Sequence, residues 1–362
     1  MRVVFLITSL EAGGLETYLL RFLQYTEGMF EPVVWCKSGQ YGNLYPQYQK
    51  IRNIQIIARS IGNFSIKSQI SYFLEIHKCK PDVLCDFTGD FAGIPLFLAR
   101  ISGVRTRISF YRGSVNRFHE SFFKLMYARM VRRLTVMSAT DILSNSKAAF
   151  DFFYPGKWLT DKRFQIIRNG IDINTFKTNR KLLHRADFGI PENAFVVGHT
   201  GRVHWAKNHK VILEIAEQLT DTYPDIYFIL CGKDTDTFVT EAKKNGLKNV
   251  IGIGYRSDIA DILSLFDVFL FPSITEGQPN SLIEALVSGL PVIASNIPPI
   301  LETLPDELHS ELLLPEDVQG FVAKLKSAYI NRQNSDKKIQ EWAVQQYDAS
   351  VCFDKFLKVL QK

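Results

Sequence analysis

The stretch Asp267–Asn296, DVFLFPSITEGQPNSLIEALVSGLPVIASN, constrains the fold more than any other part of the chain. Val268-Phe269-Leu270-Phe271 is a continuous apolar run of strand length closed by Pro272-Ser273, which reads as a buried strand. Ile274 to Asn280 is a polar loop broken by Gly277 and Pro279. A helix is predicted over roughly Ser281 to Ser288, stopped by Gly289 and Pro291, and Val292-Ile293-Ala294 restarts as a strand. A strand–loop–helix–strand unit with no room for a hairpin belongs to a parallel sheet. Ligands of such sheets sit beyond the carboxyl ends of the strands, where this loop lies.

Two carboxylates mark the stretch: Glu276 in the loop and Glu284 in the first turn of the helix, with seven residues between them. The amides of Asn280, Ser281 and Leu282 fall at the helix start, where backbone donors suit a phosphate. An acid on each side of an anion site can hold hydroxyls at both ends of a sugar–diphosphate–nucleoside. Ser281-Leu-Ile-Glu284 also spells a capping box, so a purely structural role for Glu284 stands beside the functional one. The pattern E-G-x-P-N-x-L-I-E-A followed by G-x-P-V-I-A-S resembles the large retaining glycosyltransferase family 4, of the two-domain GT-B fold. That resemblance implies an α/β protein of two Rossmann-like, doubly wound domains facing a cleft.

The 362 residues suffice for two domains, each with its own core. Hydrophobic content of 46% and charged content of 22% describe a soluble globular chain. Five cysteines, odd in number and without a C-x-x-C pair, argue against a disulfide framework or zinc site and fit a reducing cytosol. Val3 to Ile7 is too short for a signal-peptide core and reads as a first strand. No apolar run approaches the ~20 residues needed to span a bilayer. The expected location is cytoplasmic, with a peripheral place on the inner face of the membrane as its extension. Charge is unevenly divided: residues 1–180 carry a net +12 and residues 181–362 a net −6. A basic half favours an anionic partner, such as a membrane surface or a phospholipid-like acceptor.

Strands and helices alternate through both halves. The expected boundaries are an acceptor-binding domain over 1–180, a nucleotide-sugar domain over 181–345, and a last helix over 346–362 crossing back to the first domain as the resembled fold implies. Gly13-Gly14, after the first strand, lets backbone approach an anion, although the loop lacks G-x-G-x-x-G. The resemblance places this glycine pair against the donor. Asn116 to Leu134 mixes Phe118, Phe122, Phe123, Met126 and Met130 with Arg117, Lys124, Arg129, Arg132 and Arg133. It reads either as a core-facing amphipathic helix with a basic outer face or as a surface that lies on anionic lipid. Nucleic-acid binding is disfavoured, since no recognised module is present. Arg112 and His119 follow the strand at 107–111 and are the acceptor-side candidates. Related sequences often carry a histidine where Arg112 stands.

In the second half, Gly201-Arg202-Val-His-Trp-Ala-Lys207 follows a strand and matches the family's G-R-x(4)-K. Two cations are what a departing nucleoside diphosphate needs as charge builds on its β-phosphate. Gly254-Tyr255-Arg256 follows another strand, where the resemblance implies main-chain contact to the nucleotide base. Asp234-Thr235-Asp236 spells D-x-D but sits in the wrong architecture for a metal–diphosphate site, and His204 and His209 lack partners for a metal. The expectation is a metal-independent retaining transferase that needs no cofactor and uses a UDP- or GDP-linked sugar. Glu276, Arg202 and Lys207 are assigned to catalysis. Gly13, Gly14, Gly201, Gly254, Tyr255, Arg256, Gly277, Asn280, Ser281, Leu282 and Glu284 are assigned to the donor. The acceptor is a glycan or lipid-linked saccharide, in surface polysaccharide assembly. The alternatives are an epimerase or phosphorylase of the same fold, or a non-catalytic membrane-associated assembly partner.

Overall fold

The computed structural model describes the chain except for residues 63–64, 115–120, 178–182, 245 and 333–335. Two compact units result: Met1–Gly170 together with Ala349–Lys362, and Ile171–Asp348. The division falls at Gly170, ahead of the boundary expected at 180, and the linker expected near 178–184 lies mostly outside the described residues. The last segment begins at Ala349 rather than 346, because Tyr347 is still held in the second unit by its hydroxyl on the Thr303 carbonyl (3.0 Å).

The first unit is a seven-stranded, all-parallel sheet in the order β3-β2-β1-β4-β5-β6-β7. Its strands are β1 (Arg2–Ile7), β2 (Glu31–Cys36), β3 (Gln55–Ala58), β4 (Val83–Asp86), β5 (Thr106–Tyr111), β6 (Asp141–Ser144) and β7 (Phe164–Ile166). Its longer helices are α1 (Gly14–Tyr25), α2 (Ile66–Cys79), α3 (Gly93–Ile101), α4 (Phe122–Ser138) and α5 (Lys147–Phe153), joined by a last helix over Ala349–Leu360. The alternation along β1 shows why its sequence is apolar throughout. Val3, Phe5 and Ile7 face one core, with α1 and the last helix, while Val4 and Leu6 face another, under α2 and α3. Phe353 and Phe356 of the last helix pack edge-on or tilted against Tyr18 and Phe22 of α1, at ring distances of 4.6–6.4 Å. At the carboxyl ends of β2 and β4, Lys37 Nζ donates to Asp86 Oδ2 (2.9 Å) and Thr88 Oγ1 (2.8 Å) in an almost solvent-free pair.

The second unit is a five-stranded parallel sheet in the order β10-β9-β8-β11-β12. It is built from β8 (Phe195–Thr200), β9 (Ile226–Cys231), β10 (Val250–Gly252), β11 (Val268–Phe271) and β12 (Val292–Ala294). Its longer helices are α6 (His209–Thr220), α7 (Thr235–Lys244), α8 (Asn280–Val287), α9 (Val318–Asn331) and α10 (Lys337–Tyr347), and the last helix of the chain, Ala349–Leu360 in the first unit, is α11. Gly198 in the middle of β8 has no space for a side chain: a Cβ there would stand 1.9 Å from the Phe266 ring. In both units the strand order reverses direction beside the first strand, between β1 and β4 and between β8 and β11. Open sheets of this type leave a crevice for ligands at that reversal.

Candidate active site

The reversal point of the second unit is where the loops after β8 and β11 meet. The loop after β8 runs Gly201 to Asn208, and the loop after β11 runs Pro272 to Pro279. They are laced by the Ile274 amide donating to the Ala206 carbonyl (2.8 Å) and by Asn208 Nδ2 donating to the carbonyls of Pro272 (3.1 Å) and Pro315 (2.8 Å). Across this seam Lys207 Nζ donates to Glu276 Oε1 at 2.7 Å, with both side chains largely enclosed. The same ammonium stands 4.9 Å from the centre of the Phe271 ring. Arg202, from the same loop, is exposed and makes no ion pair among the described residues. A fixed cation paired with an acid and a second, free cation suit the stabilisation of negative charge on a leaving phosphate.

Glycines bring three loop backbones together beside these cations. A Cβ on Gly201 would stand 3.0 Å from His199 Nε2 and 3.4 Å from the Lys207 methylenes. A Cβ on Gly232, after β9, would meet the Gly201 carbonyl oxygen at 2.3 Å. The Gly232 amide donates to the Gly254 carbonyl (2.8 Å), and Gly254 has φ +65, where side-chain-bearing residues are strained. Gly232 is absent from the motifs read in the sequence, although Cys231-Gly232 directly after an apolar strand was its signal. Tyr255 is exposed, and the Arg256 guanidinium is held by Asp258 (Nε to Oδ1 2.8 Å), so that cation serves its own loop.

Helix α8 begins one residue earlier than expected, and this corrects the capping-box alternative. Pro279 is the N-cap and makes no side-chain cap, so Ser281 lies inside the first turn and cannot reach back as a cap. The first helical hydrogen bond is Ile283 N to the Pro279 carbonyl (3.2 Å), which leaves the amides of positions 280 to 282 ahead of the ladder. Glu284 is buried in the second turn and lies close enough to Cys231, at the end of β9, to act on its thiol; burial chiefly, with Asp258 and Glu284 adding to it against the opposing Arg256, pushes that thiol up to about 12.

Beneath the loop after β8 lie two histidines that were not among the sequence candidates for the donor. His199 Nδ1 donates to the Leu270 carbonyl (2.9 Å), which leaves Nε2 as an unprotonated, buried acceptor without a partner. His209 faces it edge-on at 4.9 Å, with both ring nitrogens sealed from solvent. Burial lowers the His209 pKa to about 4, opposed by the Gly201 carbonyl and reinforced by Lys207; burial also holds His199 well below its ordinary value. Because the folded values lie below the ordinary 6.5, the unfolded chain takes up these protons first. The His209 contribution to stability is therefore complete above about pH 6.5 and is lost as pH falls toward 4, with a slope of about 1.4 kcal/mol per pH unit, and His199 adds in the same direction. Denaturant unfolding from pH 7 to 5 is expected to show a smaller decline in His209→Asn than in the parent chain. An unchanged decline would remove His209 from this role.

In the first unit, Gly13 is the N-cap of α1, and a Cβ there would stand 2.6 Å from Glu16 Oε2. Gly14 is the first helical residue. The Arg112 guanidinium lies 3.8 Å above the Tyr18 ring, and its Nη1 is sealed from solvent without a hydrogen bond. Desolvation lowers its pKa to about 10, against the raising influence of Tyr18 and Glu16. His119 lies outside the described residues.

Two doubly wound parallel sheets, the second carrying cations, acids and helix-start amides at its reversal point, define a protein of the GT-B class. Residues 181–346 match the model of the family described as glycosyl transferases group 1. EpsF of Bacillus subtilis (strain 168) is 29% identical over 56% of this chain, a match that spans only 54% of EpsF. The UDP-Gal:alpha-D-GlcNAc-diphosphoundecaprenol alpha-1,3-galactosyltransferase of Escherichia coli is 25% identical over 76% of this chain and 71% of its own. Other relatives carry the names of capsular polysaccharide and O-antigen biosynthesis glycosyltransferases. Among solved structures, that of Anabaena HepE in complex with UDP and glucose superposes with a TM-score of 0.82 at 20% identity, covering 100% of this chain and 99% of that one.

Proposed function

We propose that the chain moves a sugar, with retention at the anomeric carbon and without a metal, from a UDP- or GDP-linked donor to a glycan or lipid-linked acceptor in surface polysaccharide assembly. The Lys207–Glu276 pair at the reversal point carries this reading. In it, Lys207 and Arg202 neutralise the departing diphosphate together with the amides at the start of α8, and the backbone of Gly201 and Gly277 lets the phosphates approach. Glu276 holds donor-sugar hydroxyls beside the reacting carbon and supports positive charge developing there. Glu284 holds the ribose, and the Gly254–Arg256 loop lies along the base. The Escherichia coli relative named for a diphosphoundecaprenol acceptor supports a lipid-linked substrate.

A panel of nucleotide sugars read by thermal shift identifies the donor, and the anomeric configuration of the product is then read by NMR. A stabilising UDP or GDP sugar, product of retained configuration and activity undiminished by a chelator are the expected results. Absence of any shift with nucleoside diphosphates would overturn donor binding. An inverted product or a chelator-sensitive rate would overturn the finer assignment alone. Product formed without acceptor would favour an epimerase.

A further inference from the structure

Lys207 rests against rings that no step of the proposed reaction uses. Its ammonium stands 4.9 Å from the centre of Phe271, and Phe271 lies nearly parallel to His199, with ring centres 5.9 Å apart and planes 25° apart. Phe269 closes the group, 5.9 Å from Phe271 and 6.3 Å from His199. All three rings are buried. His199 also meets the lysine stem by way of Gly201. A Cβ on that glycine would stand 3.0 Å from His199 Nε2 and 3.4 Å from the Lys207 methylenes, so one point borders both side chains.

The imidazole is itself fixed from behind. Strands β8 and β11 pair only through Val197 with Val268 and Gly198 with Phe269. Beyond that pairing the His199 side chain takes over, with Nδ1 donating to the Leu270 carbonyl (2.9 Å). His209, the first residue of α6, stands edge-on to His199, and Phe238 of α7 stands edge-on to His209 at 5.7 Å. A line of rings thus runs from α7 through α6 and β8 to the ammonium. Burial keeps both imidazoles uncharged at neutral pH, so the line adds no repulsion beneath the cation. A lysine stem is flexible, and closely packed rings on one side limit the positions its ammonium can take.

We infer that His199 and Phe271 are positioning residues for transfer: they touch neither sugar nor phosphate, and act by holding Lys207 where charge builds on the leaving diphosphate. The inference rests on the transferase reading and adds two residues which that reading does not use.

The test is a pair of double-mutant cycles on the full chain, with the donor identified by the nucleotide-sugar panel. His199→Asn keeps a donor near the Leu270 carbonyl but removes the ring. Phe271→Leu keeps apolar volume but removes the aromatic face beside the ammonium. Each is expected to lower kcat by about 10–100-fold with the donor KM nearly unchanged, since misplacing a group that acts as charge builds costs rate rather than binding. In a Lys207→Ala background the same substitutions should change kcat by about twofold or less, because the group they position is gone. Rates are read well below the unfolding midpoint of each variant. A purely structural role gives equal fractional losses in both backgrounds, and that result would overturn the inference. Near-parental kcat in both single variants would do the same, as would losses confined to KM. Any of these in a parent chain that transfers sugar leaves the transferase reading standing. A parent chain that transfers none overturns both.

Discussion

Glu276→Gln is expected to lower transfer by about 10²–10³-fold while leaving the unfolding transition near that of the parent chain. The amide keeps the shape of the carboxylate but gives up the charge that faces Lys207 at 2.7 Å. Lys207→Ala is expected to cost about as much, since in the proposed reaction it removes one of the two cations that neutralise the leaving diphosphate. Groups that act as a unit are not additive, so the double variant should be little worse than either single one. Steady-state rates on the identified donor, with a denaturation curve for each variant, check this. Near-parental rates in both single variants would make the pair a brace between two loops and nothing more.

Asp86→Ala is expected to cost about 3–5 kcal/mol of stability, the largest loss from any single ion-pair change in the first unit. Asp86 is fully buried and Lys37 nearly so, and removal of the acid strands an ammonium away from water. Thr88 would remain as its neighbour but carries no charge. The joint replacement Lys37→Met with Asp86→Leu should recover most of the loss, because an apolar pair of similar size has no desolvation penalty. Urea titration of the three variants measures both effects. A loss of only a few tenths for Asp86→Ala would mean that the pair behaves as an exposed one.

The architecture was legible because parallel strands buried on both faces are apolar without interruption, and glycine and proline punctuate them. Val3–Ile7, Phe195–Thr200 and Val268–Phe271 stand out for that reason. The placing of Gly201, Arg202, Lys207, Glu276 and Glu284 in the loops after β8 and β11 and in α8 was also legible, since they are close in sequence to the strands that precede them. Three things were not. Helix α5 is short, and its Phe-rich sequence has no clear polar face. The start of α8 was misplaced because Ser281 looks like a better cap than Pro279, and only the backbone decides which residue leaves the helix. Gly232 and the His199–His209 pair matter through residues distant in sequence, and no local pattern announces that a Cβ at position 232 would strike Gly201.

The return of residues 349–362 to the first unit has a consequence for how the molecule is made. Phe353, Phe356 and Leu360 belong to the same core as Phe5 and Phe22, so residues made before Gly170 wait for a segment made only after all of Ile171–Asp348. Until α11 arrives, Tyr18 and Phe22 lack their Phe353 and Phe356 neighbours, and a nascent chain stalled before Ala349 presents that gap to chaperones and proteases.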